Sequence, residues 1–306
     1  MNTSGPSGPA ADSPNTPRRK LLLIWAVTAL ALLGLVTVAV VRTGPAPGTD
    51  FLAGTQDQRQ EHPAPASETH APETQAAQAA VDLDAEIQRI LAENSGYRIG
   101  VALADTHGGE PRSYGDGTEF VAASTAKIIT AAAYYHLVET GEKSLDVPLG
   151  SFDAAFQVKA MVNTSSDDSW LLLMQDIGYP ALIEYAASIG ISYDPEQNLL
   201  TPAEMAELLR QLSTGKLLNA EHTQELLGYM QQTNNERLIA AAVGPDITVQ
   251  HKYGEVEGYV HDAAVLTSGE RSYALVIYTS GEDGESEERL AVIHQLTQAV
   301  TRALLS

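Results

Sequence analysis

The sequence contains no cysteine among its 306 residues. This absence excludes a disulfide framework, a zinc site built from thiolates and a cysteine nucleophile. Basic residues are also scarce, because 18 Lys and Arg stand against 39 Asp and Glu and leave a formal net charge of -21. Affinity for nucleic acids comes mainly from basic groups that displace counterions, so a nucleic-acid partner is not expected.

Three familiar functional patterns are missing from the sequence as well. It has no Gly-x-Ser-x-Gly elbow, no phosphate-binding Gly-x-x-x-x-Gly-Lys loop and no His-Glu-x-x-His helix. The sequence therefore indicates neither a metal site nor an organic cofactor. What it does contain is 44% hydrophobic residues, which is enough to build a core.

An uncharged apolar run begins at Leu21 and ends at Val41. Its length of about 21 residues is sufficient for a helix to cross a bilayer. Three basic residues at positions 18–20 precede the run and only Arg42 follows closely, which predicts a cytoplasmic N-terminus. A cleaved signal peptide is the alternative. The length of the run and the lack of a small-x-small cleavage site favour a retained anchor.

Composition predicts four regions along the chain. Residues 1–20 form a cytoplasmic tail and residues 21–41 a single transmembrane anchor in the cell membrane. Residues 42–80 are rich in Pro, Ala, Gln, Glu and Thr and have little to bury, which predicts a disordered linker. Residues 81–306 are periodic and broken by turns, so we expect one extracytoplasmic domain.

Periodicity within residues 81–306 predicts an α+β fold. A helix over 81–94 and strands near 97–106 and 112–114 come first, and several helices follow. We expect these helices over residues 124–139, 166–175, 180–188, 202–212 and 220–231. Three strand-like runs, TVQHKYG, GYVHDAAVLT and SYALVIYTS, precede a final helix over 287–305. This order predicts one antiparallel sheet built from both chain ends, with a helical subdomain.

Ser124 is the first candidate for chemistry, because Lys127 follows three residues later in a predicted helix. Residues at this spacing share a helix face, and a lysine of lowered pKa can take a proton from a serine hydroxyl. The pattern alone is weak, since Ser213 and Lys216 have the same spacing at a helix end. An N-capping serine beside a solvated lysine is the alternative interpretation of Ser124.

Three segments of the sequence favour the nucleophile over the N-capping serine. In order they are FVAASTAKIITAAAYYHLVETG, MVNTSSDDSWLLLMQDIG and HKYGEVEGYVHDAAVL. Together they resemble the active-site motifs of the class A β-lactamase and penicillin-binding serine hydrolases, and the resemblance extends over essentially all of residues 81–306. It implies the β-lactamase/DD-peptidase-like fold and an acyl-enzyme formed on Ser124 with Lys127 beside it.

The resemblance carries over to five further positions. The Ser-x-Asn motif of the family best matches Ser165, which places Asp167 at the asparagine position. The Lys-Thr-Gly motif matches Lys252, Tyr253 and Gly254.

The resemblance also implies a role for each group. Lys252 is expected to anchor a substrate carboxylate, and Ser165 to relay a proton towards the leaving nitrogen. The backbone N–H groups of Ser124 and Glu255 are expected to form the oxyanion hole.

Departures from the family pattern limit the functional prediction. Asp167 replaces a hydrogen-bond donor by a carboxylate that, when ionised, can only accept. Tyr253 replaces a small hydroxyl residue by a bulky ring. Between residues 190 and 201 lies only ISYDPEQNLL, in which Glu196 lacks the Glu-x-x-Leu-Asn setting of the water-activating glutamate. Efficient β-lactam hydrolysis is therefore not expected.

Two functions follow from the sequence. The preferred one is a membrane-anchored serine hydrolase acting on amide or ester bonds, with cell-wall peptides or β-lactam-like small molecules as partners. The alternative is a catalytically silent module of the same fold that binds the cell wall or a protein. The intact set of Ser124, Lys127, Ser165 and Lys252 favours the enzyme.

Overall fold

The computed structural model describes residues 71–306, with side chains from Asp82 onward. In this part of the chain the α-helices are α1 Ala71–Glu93, α2 Lys127–Glu139, α3 Ala154–Asn163, α4 Asp167–Ile177, α5 Tyr179–Ser188, α6 Pro202–Ser213, α7 Ala220–Tyr229 and α8 Glu287–Leu304. The strands are β1 Arg98–Asp105, β2 Arg112–Gly115, β3 Phe120–Val121, β4 Pro148–Leu149, β5 Phe152–Asp153, β6 Leu199–Leu200, β7 Thr248–Val256, β8 Tyr259–Ser268 and β9 Arg271–Ser280.

The centre of the fold is a five-stranded antiparallel sheet in the order β2-β1-β9-β8-β7. Strand β1 comes from the start of the described region and pairs with β9 from its end, with Val101 opposite Ile277. The predicted α+β architecture, with one sheet built from both ends, is therefore confirmed. Strand β7 lies at an edge of the sheet, which leaves one side of its backbone for other contacts.

The two faces of the sheet bury two separate cores, because successive side chains on a strand point to opposite faces. On β9, Leu275 and Ile277 pack with residues of α1 and α8. Val276 and Tyr278 point the other way and pack with residues of α2 and α6. The sheet thus separates a layer formed by the first and last helices from the helical half of the molecule.

Helix α2 is the central element of that helical half. Every residue from Lys127 to Tyr135 is buried, and the helix contacts α3, α4 and α5. A helix that is apolar on all sides belongs in a core, and KIITAAAYY has this character apart from its lysine. The sequence therefore places the Lys127 side chain inside the protein at the start of α2.

Most predicted elements are confirmed, and three details are corrected. Helix α3 was not predicted. Helix α1 begins at Ala71, so residues 71–80, assigned to the linker, are helical in the structure. Residues 123–126 form a short 3-10 turn before α2 rather than the first turn of that helix. The last correction matters most, because the turn contains Ser124.

The predicted cytoplasmic tail, the transmembrane run and most of the linker lie outside the described residues. Over residues 71–306, no helix has the length and apolar character needed to cross a membrane.

Candidate active site

Ser124 lies in the 3-10 turn Ala123–Ala126, which leads directly into α2. Ala123 has a φ of 50°, an uncommon value for a residue with a side chain, so surrounding contacts must hold the turn. One such contact joins Thr125 Oγ1 to the buried hydroxyl of Tyr278 at 2.7 Å. Ser124 itself is half-buried and lines a cleft of about 460 Å³. Its hydroxyl is thus presented to a space large enough for a small substrate.

The Lys127 ammonium lies beside the Ser124 hydroxyl, with 3.0 Å between Nζ and Oγ. It also donates to Ser165 O at 2.8 Å and to Asp167 Oδ1 at 2.6 Å. Burial lowers the pKa of Lys127, whereas the Asp167 carboxylate opposes this shift. The geometry needed for proton transfer from Ser124 to Lys127 is therefore present, and Asp167 works against the neutral form of the base.

Ser165 lies in the short connection between α3 and α4, with a φ of 57° in the left-handed region. Its neighbour Ser166 caps α4 by accepting a hydrogen bond from Ser169 N at 3.1 Å. The Ser165 hydroxyl is therefore free for other contacts, and it accepts from Lys252 Nζ at 2.9 Å and from Lys127 Nζ at 3.3 Å. One hydroxyl thus connects the two lysines.

Lys252 is held by the edge strand β7, and its side chain is fully buried. Its ammonium donates to Ser165 Oγ and, at 3.0 Å, to Tyr253 O. Burial, assisted by the nearby charge of Lys127, lowers the pKa of Lys252 to about 7. The Ser165 hydroxyl lies between this ammonium and that of Lys127. The anchoring of a substrate carboxylate by Lys252 stays a prediction.

The predicted oxyanion hole lies where β7 meets the 3-10 turn. A Cβ added to Gly254 would lie only 2.9 Å from Ser124 N, so only glycine permits this approach. Along an antiparallel edge strand, alternate residues turn their backbone groups outward. His251 N donates outward to Met230 O, so Glu255 N–H, four residues later, points to the same open side. Ser124 N–H and Glu255 N–H therefore flank the cleft.

Tyr253 occupies the position where the family has a small hydroxyl residue. Its ring centroid lies 4.1 Å from Lys252 Nζ, and its hydroxyl donates to Asn234 Oδ1 at 3.0 Å. Its ring therefore packs beside the Lys252 ammonium, and its hydroxyl is used to hold the loop that carries Asn234.

A buried polar group behind Lys252 was not predicted from the sequence. His251 Nδ1 lies 2.9 Å from Asp262 Oδ1, and its Nε2 lies 3.1 Å from Glu236 Oε1. Burial disfavours the imidazolium, but the two carboxylates outweigh it and raise the pKa of His251 to about 9. His261 points to the opposite face of β8, against Tyr278. His261 and Asp262 therefore face opposite sides of the sheet, and both are buried away from the cleft.

Within residues 82–306, no group of three or more His, Asp or Glu side chains is arranged to hold a metal ion.

The chain matches the model of one protein family. The model of the beta-lactamase enzyme family matches residues 82–165 and 159–304. This chain belongs to that family. The match extends over all of the sequence segments that carry Ser124, Ser165 and Lys252, so the predicted resemblance is confirmed.

Individual relatives are distant. Beta-lactamase CTX-M-8 of Citrobacter amalonaticus is 26% identical over 250 residues, covering 69% of this chain and 86% of the relative. Beta-lactamase OXY-2 of Klebsiella oxytoca is 24% identical over 252 residues, covering 70% and 87%. The family and these relatives support the prediction of a serine hydrolase.

Solved structures show the same fold. An ancestral class A beta-lactamase of Gram-negative bacteria aligns with a TM-score of 0.64 at 25% identity, over 74% of this chain and all of that one. The structure of PBP-A aligns with a TM-score of 0.65 at 20% identity, over 72% and 95%, a likeness that shows the fold alone.

Asn198 is a cleft residue that sequence reasoning missed. Its Nδ2 donates to Ala123 O at 3.2 Å, next to the nucleophile. The sequence contained a signal for it. The segment DPEQN ends in Asn198, just as the Glu-x-x-Leu-Asn pattern of the family ends in asparagine, and this alignment puts Asp194 at the glutamate position. Asp194 instead accepts from Glu196 N and Gln197 Nε2, each at 2.8 Å, within its own turn. Glu196 is exposed and does not line the cleft.

Proposed function

We propose that this beta-lactamase family member is a serine hydrolase that cleaves amide or ester bonds through an acyl-enzyme on Ser124. The observation that carries the proposal is the 3.0 Å contact between Ser124 Oγ and the buried Lys127 Nζ. In its neutral form, Lys127 takes the hydroxyl proton while Oγ attacks the carbonyl carbon of the substrate. The N–H groups of Ser124 and Glu255 accommodate the negative charge that develops on the carbonyl oxygen.

Collapse of this tetrahedral intermediate breaks the bond to the leaving nitrogen or oxygen. The leaving atom takes the hydroxyl proton of Ser165, which regains a proton from Lys252 or Lys127, since both donate to its Oγ. Water then hydrolyses the ester on Ser124 and restores the free enzyme. The two buried lysines thus carry a proton from the Ser124 hydroxyl to the Ser165 hydroxyl, which passes it to the leaving atom.

The water-dependent step is proposed to be slow. Asp194, at the position of the family's water-activating glutamate, uses both carboxylate oxygens inside its own turn. A base must reach the water that it activates, and this side chain does not line the cleft. A long-lived acyl-enzyme and poor turnover of β-lactams are expected.

The proposed setting is the outer side of the cell membrane, with the chain anchored through residues 21–41. The apolar length of this run and the basic residues before it support that placement. Cell-wall peptides are the proposed substrates, since their peptide bonds are available there and family relatives include proteins named for β-lactam hydrolysis.

The test is covalent labelling of the full-length chain in detergent, read by intact mass and peptide mapping. We would apply a fluorescent penicillin and an activated serine-reactive phosphonate to the wild type and to Ser124→Ala. Ser213→Ala is the matched control, because Ser213 and Lys216 repeat the spacing of Ser124 and Lys127 at the end of α6. Labelling lost only in Ser124→Ala is expected. No adduct in folded wild type with either probe contradicts the proposal.

A catalytically silent binding module is the second candidate. One observation favours it, namely the 2.6 Å contact through which Asp167 stabilises the charged, inactive form of Lys127. This candidate predicts that neither probe labels the wild type, although the chain is folded and retains the cleft.

A further inference from the structure

The charges that a substrate meets in the cleft differ from those beneath it. Asp167, Asp168 and Glu255 all line the cleft, on the α4 side and on the β7 side. The side chain of Asp167 is 85% exposed, whereas that of Lys127 is not exposed at all. Lys252 is equally inaccessible. A molecule entering the cleft therefore encounters carboxylates, and both ammonium groups lie below the surface that it contacts.

A charge count shows when the cleft becomes negative. Burial and the neighbouring Glu285 raise the pKa of Glu255 and favour its neutral form, so this count leaves Glu255 out. Asp167 and Asp168 then balance the two lysines while both are protonated. During acylation Lys127 must be neutral to act as the base, and one excess negative charge results. A positive charge supplied by the substrate compensates this excess at the moment when it is largest.

The cleft wall also has an apolar part beside the carboxylates. Leu171 is 49% exposed and Val256 41% exposed, and both line the cleft together with Trp170. Exposed apolar groups at this density around a nucleophile are typical of a surface that is covered when a ligand binds. The wall therefore fits an organic group with an apolar body and a charged end.

We infer that the preferred substrate carries a primary ammonium on its acyl side, close to the scissile carbonyl, where Asp167 and Asp168 bind it. The inference rests on the proposed acyl-enzyme on Ser124. The substrate's ammonium replaces Lys127 as the partner of Asp167. Lys127 then no longer has a carboxylate that stabilises its charged form, and its proton is more easily lost. A cationic acyl group thus both binds and promotes its own transfer to Ser124.

The experiment compares three penicillins that share one ring system and differ on the acyl side chain: benzylpenicillin, its α-amino derivative and its α-carboxy derivative. The full-length chain in detergent is mixed with each, and the rate of Ser124 acylation is followed by intact mass at pH 6.5. One accessible charge pair gives an effect of about fivefold. We expect the α-amino compound to react about fivefold faster than benzylpenicillin and the α-carboxy compound to react more slowly, with smaller differences at high salt.

A variant identifies the carboxylate responsible. In Asp168→Asn the advantage of the α-amino compound over benzylpenicillin shrinks, whereas in Glu184→Gln, which removes one exposed charge on α5, it stays as in the wild type. Because the readout is a ratio of two rates in one protein preparation, partial loss of folded protein does not affect it.

The outcomes distinguish a failure of this inference from a failure of the proposed hydrolase function. Equal rates for the three penicillins, or fastest reaction of the α-carboxy compound, overturn the inference while labelling of Ser124 still supports the hydrolase. Absence of labelling by all three in folded protein overturns the proposed function and the inference with it.

Discussion

Replacing Asp167 by asparagine changes one charge beside the catalytic base and little of its shape. In the wild type, Asp167 Oδ1 accepts a hydrogen bond from Lys127 Nζ at 2.6 Å and opposes the lowering of the lysine's pKa by burial. Asparagine keeps an oxygen at this position but removes the negative charge. Burial then acts unopposed by this partner, the pKa of Lys127 falls further, and more of the enzyme carries a neutral base.

The size of the effect follows from the exposure of the pair. A hydrogen bond to a charged group contributes about 1.5–3 kcal/mol. The Asp167 side chain is 85% exposed, so water screens the interaction and its contribution lies near or below the lower end of that range. A change of about 1.4 kcal/mol corresponds to a tenfold change in rate. We therefore expect Asp167→Asn to acylate about tenfold faster than the wild type at pH 7.

The assay is the time course of Ser124 labelling by benzylpenicillin from pH 5 to 9. The acid limb of the profile reports deprotonation of the base, and it should move to lower pH in Asp167→Asn. Asp168→Asn is the matched control, because it removes a neighbouring cleft charge that does not bond to Lys127 and should leave the limb nearly in place. Slower acylation in Asp167→Asn, or an unmoved acid limb, would refute the proposed opposition between Asp167 and the base.

Two further predictions concern the surroundings of the nucleophile. In Gly254→Ala the new methyl group lies 2.9 Å from Ser124 N, so the 3-10 turn must shift. We expect the rate of Ser124 acylation to fall more than tenfold. The free energy of unfolding, measured by urea denaturation, should fall by about 1–3 kcal/mol. The pKa of His251 is raised from 6.5 to about 9, so its stabilising contribution is complete below pH 6.5 and is lost as pH rises through 9. Between pH 6 and 9.5 the wild type should lose about 3 kcal/mol more stability than the double variant His251→Gln/Asp262→Asn. Lys252 titrates oppositely in both proteins, and loss of the Asp262 charge lowers its pKa further in the variant, which widens the expected difference. Equal pH dependence of the two proteins would contradict the assignment.

The sheet and the order of the catalytic segments could be predicted because both leave short-range patterns. The β-branched and alternating residues of β1, β8 and β9 mark strands without reference to the rest of the chain. The spacing of Ser124 and Lys127 became informative only with the two later segments, since Ser213 and Lys216 have the same spacing in a different context. Order along the chain, rather than any single pattern, carried the prediction.

Other features depend on contacts between distant residues and could not be predicted. The 3-10 turn at Ser124 depends on the approach of Gly254, which lies far away in the sequence. The burial of Lys252 depends on how the loop before β7 and the α3–α4 connection cover the edge strand. The pairing of His251 with Asp262 follows from their placement on neighbouring strands, where they lie two register positions apart and so on the same face of the sheet. Sequence reasoning identified these residues or their neighbours, but it could not supply the distances.

The burial of α2 has a consequence for how this site responds to damage elsewhere in the protein. No face of the first part of this helix touches water, and α3, α4 and α5 all pack against it. Burial is what lowers the pKa of Lys127, so a cavity or a polar substitution that admits water beside it raises that pKa towards its ordinary value. Loss of reactivity on heating should therefore precede the loss of helical structure, which makes the nucleophile a sensor of the integrity of the whole helical core.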